Sequence, residues 1–189
     1  RHGEFGILHI DAHCDLREAY EGFEYSHASI MYNVLHQVPQ AVRITQVGVR
    51  DFSEGEAALA AASERIASFD DFALAEARFR GDTWDALCRK IVATLPGEVY
   101  VSFDIDGLTC ENCPHTGTPV SGGLTFNEAV WLLVVLARSG RRIIGFDLVE
   151  VAPVAEERID AIAGARMLWK LCGQTLASSK NRNIVLEEK

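Results

Sequence analysis

The sequence predicts an α/β domain built on a mainly parallel sheet, and three observations carry that prediction. Short apolar runs rich in Val, Ile and Phe recur along the chain, more continuous than alternating, as strands covered on both faces read. Segments with helical patterning and helix caps separate them. Acidic residues gather where three of the runs stop, in IDAHCD, VSFDIDG and FDLVEV. Strand–helix alternation of this kind implies right-handed crossovers between parallel neighbours. The 189 residues suffice for a real hydrophobic core, and residues 1–189 are read as a single domain without repeat or linker.

Taken in order, the predicted strands are Phe5–Asp11, Ile44–Asp51, Val99–Asp106 and Ile143–Val151. Ser53, followed by Glu54 and Glu56, is an N-cap with acidic first-turn residues and opens an Ala-rich helix over Ala57–Ala67. Asp82 opens a helix over Thr83–Thr94 that Pro96 and Gly97 close. Thr125 starts a TFNE capping box leading into Ala129–Ala137, which Gly140 ends. A last helix spans Ile159–Ala177.

A net charge of −9 argues against nucleic acid as a partner, because phosphate binding needs clustered Lys and Arg. No apolar stretch approaches the ~20 residues that span a bilayer, and no secretory signal is read, so no membrane partner is expected. The five cysteines (Cys14, Cys88, Cys110, Cys113 and Cys172) follow no disulfide framework. A reducing, cytoplasmic setting is the expectation.

Along an extended segment, residues i, i+2 and i+4 face one side. Asp11, His13 and Asp15 are therefore expected to converge, and Asp104 and Asp106 share that spacing at another strand end. Four carboxylates and one imidazole form a mixed oxygen and nitrogen set suited to Mn2+ or a similar ion. So many anions exceed the needs of one ion, so two metals sharing carboxylates are expected, a pairing that can generate hydroxide near neutral pH. Chance DxH pairs and N-capping aspartates are the ordinary alternative, but DxHxD together with a separate DxD is far rarer.

These motifs resemble the ureohydrolase family, which comprises the arginases, agmatinases and related guanidino hydrolases. The matching stretches are HIDAHCDLR, YSHAS, SFDIDGL followed by TGTPVSGGLT, and GFDLVEVAP, in the family's order. The resemblance implies a three-layer α/β/α sandwich, a binuclear manganese centre and a homo-trimer or homo-hexamer. It further implies that Asp11 and Asp104 bridge both Mn2+ ions, that Asp15 binds the first, and that His13 and Asp106 bind the second. His27 would relay protons, Glu150 would grip a substrate guanidinium in bidentate fashion, and Thr116–Pro119 would shape the pocket wall.

Two departures from the family pattern stand out. Family members carry a Gly-Gly-Asp-His motif upstream whose His completes the first metal site, and this chain begins after that point. His2 and His9 are poor substitutes by position. The expectation is therefore the C-terminal two-thirds of the family domain, with a degenerate family member as the alternative. Leu108-Thr109-Cys110 stands where the family has Leu-Asp-Pro, and His115 where a small residue is common.

The implied reaction is hydrolysis of a small guanidino substrate to urea and an amine. The segment after the first motif, LREAYEGFEYSH, should read the substrate tail. It carries Glu18, Glu21 and Glu24 against a single Arg17. Acidic residues such as Glu24 favour a cationic or neutral tail, which makes agmatine the leading substrate. Arg17 keeps guanidinobutyrate, arginine or formimino-glutamate open as alternatives. A metal-dependent deacetylase shares the sheet and a DxH site but lacks the TGTP and VEV context, and a non-catalytic relative is the third reading. Cys110 and Cys113 lack a second CxxC pair and read as ordinary thiols. Cys14 should point away from the metals, His36 and His115 read as loop residues, and Trp84, Trp131 and Trp169 are expected to pack helix against sheet.

Overall fold

Five strands form one parallel sheet in the computed structural model, which describes residues 3–187. In chain order they are β1 (Phe5–Ile10), β2 (Ala41–Val47), β3 (Ile66–Phe69), β4 (Glu98–Asp104) and β5 (Arg142–Val149). The α-helices are α1 (Ile30–Gln37), α2 (Glu54–Ala62), α3 (Asp71–Phe79), α4 (Trp84–Ala93), α5 (Phe126–Arg138) and α6 (Ile159–Glu187). Across the sheet the order is β3-β2-β1-β4-β5, every pairing parallel. The chain builds outward from β1 to β3, then returns to the other side of β1 for β4 and β5. This reversal creates a crevice beyond the carboxyl ends of β1 and β4, where open α/β sheets bind ligands.

Helices cover both faces, so the domain has three layers. One face buries Leu8, Ile10, Val101 and Phe103 against Leu87 and Ile91 of α4, Leu132 and Leu136 of α5, and Met167 and Leu171 of α6. The opposite face packs Ile7 and Ile44 against Met31 of α1, with Val34, Leu35, Leu59 and Ala60 of α1 and α2 around them. Residues of β1 thus alternate between two cores, which explains why its sequence is apolar on both faces up to His9, near its carboxyl end. The predicted capping box forms at α5, Thr125 with Glu128, and the predicted N-cap Ser53 makes a capping box as well, with Glu56 at α2.

The elements differ from expectation where local patterning and sheet pairing disagree. The Ala-rich helix stops at Ala62, and Ile66–Phe69 becomes the edge strand β3. Helix propensity favours continuation through this run, but Ile44–Val47 of β2 pairs with Ile66–Phe69 and overrides it. Strand β2 runs over Ala41–Val47 and stops before Gly48, whose φ of 89° leaves the extended region. The short helices α1 and α3 carry too few turns for a readable stripe. The last helix continues beyond Ala177 to Glu187. Trp84 packs against the core, but Trp169 is 77% exposed on α6 instead of packing on the sheet.

Candidate metal centre

Asp11 directly follows β1, and Asp104 is the last residue of β4, so the switch point brings the two motifs together. Beyond Asp104 the chain tightens into a 3-10 turn, Ile105–Gly107, in which Asp104 Oδ1 accepts the Asp106 amide at 2.9 Å. Asp106 Oδ1 accepts the Ala12 amide at 3.0 Å, tying the β4 turn to the β1 end. The β1 segment is held from its other side as well, since Arg50 and Asp51 donate their amides to Ala12 O at 2.7 and 3.0 Å.

Two groups of metal-competent donors result, each with its ligand atoms within 4.8 Å of one another: His9, Asp11 and Asp15, and Asp11, His13 and Asp106. Asp11 belongs to both. Its Oδ2 lies 2.8 Å from His9 Nε2, and its Oδ1 lies 3.3 Å from His13 Nδ1. His13 Nδ1 is also 3.2 Å from Asp106 Oδ2. Asp15 does not reach the site by simple alternation, because its φ of 55° turns the backbone left-handed. Glu150 shares that conformation at φ 59°. Non-glycine residues held there store about 1–3 kcal/mol each and gather at functional sites.

The electrostatics describe anions short of a cation. Burial, followed by the charges of Asp11 and Asp106, pushes Asp104 up to about 10. Burial and Asp11 raise Asp15 to about 7. Hydrogen bonds to Asp106 and Asp11 lift His13 to about 10. Burial opposes ionisation of Asp11 too, yet His9 and His13 hold its carboxyl below the usual range. Protons here occupy the place that a divalent cation would take, and the oxygen and nitrogen donors fit such an ion.

These groups open into a cavity of about 300 Å3 whose wall includes Asp11, His13, Asp15, Asp104, Arg17, His27 and Glu150. Asp106 lies behind His13, outside that wall. Gly117 and Thr118 of the TGTP segment also line it, and Thr116 Oγ1 donates to Glu150 O at 3.0 Å. His27 opens a 3-10 turn, with its ring edge-on to Tyr20 at 5.4 Å. The Arg17 guanidinium stacks over Tyr20 at 5.1 Å, and its Nε lies 3.5 Å from Glu56 Oε2. Glu24 is exposed and is not part of the wall; its carbonyl accepts from Asn33 Nδ2 at 2.8 Å.

Tyr20, Asp51 and Glu56 line the cavity without having been anticipated. Glu56 carried the only sequence signal, as the acidic third residue of a capped helix. His9, expected to be a strand-interior bystander, contacts Asp11 because it is two residues upstream on the same sheet face. His2 lies outside the described residues. Cys14 is buried in the apolar cluster on the α1–α2 face. Cys110 and Cys113 are free thiols that donate to Val120 O and Ile105 O, both at 3.2 Å. His115 is more than a loop residue, since its Nδ1 and amide engage the buried Asp160 at 2.8 and 3.1 Å.

A parallel sheet with a carboxylate-and-imidazole cluster at its switch point defines an α/β protein of the kind that binds metals at its strand ends. The arginase family profile matches residues 1–173, and the chain belongs to that family. It is 34% identical over 171 residues to the N(1)-aminopropylagmatine ureohydrolase of Thermus thermophilus, covering 90% of this chain and 54% of that protein. The agmatinase of Proteus mirabilis is 34% identical over 168 residues, covering 86% of this chain and 49% of that one. The chain thus spans about half the length of these curated relatives. Among solved structures, a hypothetical agmatinase from Burkholderia thailandensis superposes with a TM-score of 0.76 at 28% identity, covering 94% of this chain and 53% of that one. An arginase from Medicago truncatula gives 0.74 at 26% identity, covering 92% and 52%. No described helix is long and apolar enough to cross a membrane.

Proposed function

We propose that this chain carries the metal-binding and substrate-binding half of a guanidino hydrolase that releases urea, with agmatine as its leading substrate. The observation that carries the reading is Asp11, shared by two donor groups and lining a cavity that also presents His27 and Glu150. A shared carboxylate is what a two-ion site requires. Asp11 and Asp104 would serve both ions, Asp15 the first, and His13 and Asp106 the second. Mn2+ suits this donor set. When bound, such a pair supplies charge compensation and an activated water near neutral pH.

The chain's own groups cover the remaining requirements. Glu150, exposed on the cavity wall, can take a planar guanidinium through two charge-assisted hydrogen bonds. His27 stands on the same wall and can carry a proton to a leaving amine. Arg17 is the arginine on that wall, placed to meet a substrate tail, and Glu56 and Tyr20 already engage it. That engagement supports a substrate with a cationic or neutral tail over one ending in a carboxylate. A cytoplasmic homo-trimer or homo-hexamer in polyamine metabolism completes the reading.

The test is urea release by the purified full chain, loaded with Mn2+, from agmatine, arginine and guanidinobutyrate, with an acetyl-lysine substrate as control. Agmatine should be preferred. Two bound ions without urea from any guanidino compound would leave a metal-binding relative and refute the enzyme assignment.

A further inference from the structure

Arg50 lies outside the cavity wall, and each hydrogen bond described for its side chain ends on a main-chain carbonyl. Its Nη2 donates to Asp106 O at 2.7 Å, Val120 O at 2.9 Å and Leu108 O at 3.3 Å. Nη1 donates to Gly48 O at 3.0 Å, and Nε to Val120 O at 3.2 Å. One planar group thus gathers the exit from β2, the turn after β4 and the far side of the loop that carries Thr116–Pro119.

The surrounding chain is shaped to admit that group. Gly123 has φ 96°, and a Cβ there would sit 2.9 Å from Arg50 Nη2 and 2.7 Å from Leu108 O. A Cβ at Gly122, with φ 102°, would sit 3.1 Å from Arg50 Cδ and 2.5 Å from Asp71 Oδ2. Only glycine meets both demands at these positions. Asp106 is the residue on which this arrangement converges. Arg50 holds its carbonyl, Ala12 N binds its Oδ1 at 3.0 Å, and Thr118 Oγ1 approaches its Oδ2 at 3.4 Å.

We infer that Arg50 is a positioning residue for the Asp106 half of the donor set and for the loop above it. The inference rests on the proposed two-ion reading, in which Asp106 and His13 hold the second ion and Asp15 the first. Lysine keeps the charge but cannot span four diverging carbonyls, so geometry and charge are separable here. Groups that orient metal ligands typically change affinity by about 10–100-fold when removed.

The experiment titrates Co2+ into metal-free wild type, Arg50→Lys and Arg50→Met, following absorption and stoichiometry, with thermal melting and amide hydrogen exchange measured in parallel. If wild type binds two ions, both variants should weaken one step by about 10–100-fold and leave the other within about threefold. Equal weakening of both steps, or of neither, overturns the inference. If wild type binds fewer than two ions, the two-ion reading fails and exchange alone decides. Faster exchange confined to residues 106–124 in Arg50→Met then supports the positioning role, and unchanged exchange overturns it. Unfolding of both variants would make Arg50 a general stability residue and overturn it as well.

Discussion

Ala12 and Asp106 are 94 positions apart, yet the amide of one donates to the carboxylate of the other at 3.0 Å. This hydrogen bond crosses the switch point between β1 and β4 and sets the distance between the two acidic motifs. Asp106 therefore has two roles, closing the crevice through Oδ1 while Oδ2 faces His13.

Gly107 shows how tight that closure is. A Cβ at this position would lie 2.9 Å from Asp11 N and 3.1 Å from the Ile10 carbonyl carbon, and both are backbone atoms that cannot swing away. Gly107→Ala should cost about 1–3 kcal/mol, the usual range for overpacking a well-packed site. Chemical denaturation will measure it, and an unchanged midpoint would show that the two motifs separate easily.

Asp104→Asn should act with opposite signs with and without metal. Loss of the carboxylate should weaken divalent cation binding by more than the ~100-fold typical of outer-shell losses, and activity should disappear with it. In the metal-free protein burial and the charges of Asp11 and Asp106 oblige Asp104 to take up a proton on folding; Asn removes that demand, so stability at neutral and higher pH should rise. Calorimetric titration and melting of the metal-free form check the two halves separately.

The metal-free protein should lose stability as pH rises. Asp15 (about 7) and Asp104 (about 10) both lie above the ordinary 3.8, so the folded state keeps protons that the unfolded chain has released. Their contribution is whole below pH 3.8 and is lost through about 7 and about 10 in turn. His13 adds the same sign: its stabilisation is complete below 6.5 and lost through about 10. Asp11, lowered, has the opposite sign and matters only in acid, below 3.8. Melting curves across this range, with and without Mn2+, test the idea; a slope that Mn2+ fails to flatten counts against a cation in this cluster.

Glu150→Gln keeps the shape of the side chain and removes its charge. For guanidino substrates KM should rise about 10–100-fold, matching the ~1.5–3 kcal/mol of a charge-assisted hydrogen bond, with ion stoichiometry unchanged. His27→Asn should instead lower kcat by about 10²–10⁴-fold with little change in KM. Exchanged phenotypes would reverse the two roles.

Features that depend on residues close in sequence were legible before any coordinates. The donor types of DxHxD and DxD and their place at strand ends were readable from local spacing, although Asp15 turns in through a left-handed backbone and not by alternation. The caps at Ser53 and Thr125 follow from the polar residues that open each helix, and the parallel sheet from runs apolar on both faces. Features made by distant partners were not. Strand β3 exists because β2 offers an edge to pair with, and its four residues carry too little pattern of their own. Tyr20, Asp51 and Glu56 reach the site, and Arg50 its supporting loop, through strand order, a stacked guanidinium and a buried helix cap. The chemistry of a donor is written in its residue type and local spacing. Its neighbours across 40 to 94 positions are chosen by sheet register and backbone hydrogen bonds, which form only when the chain has closed on itself.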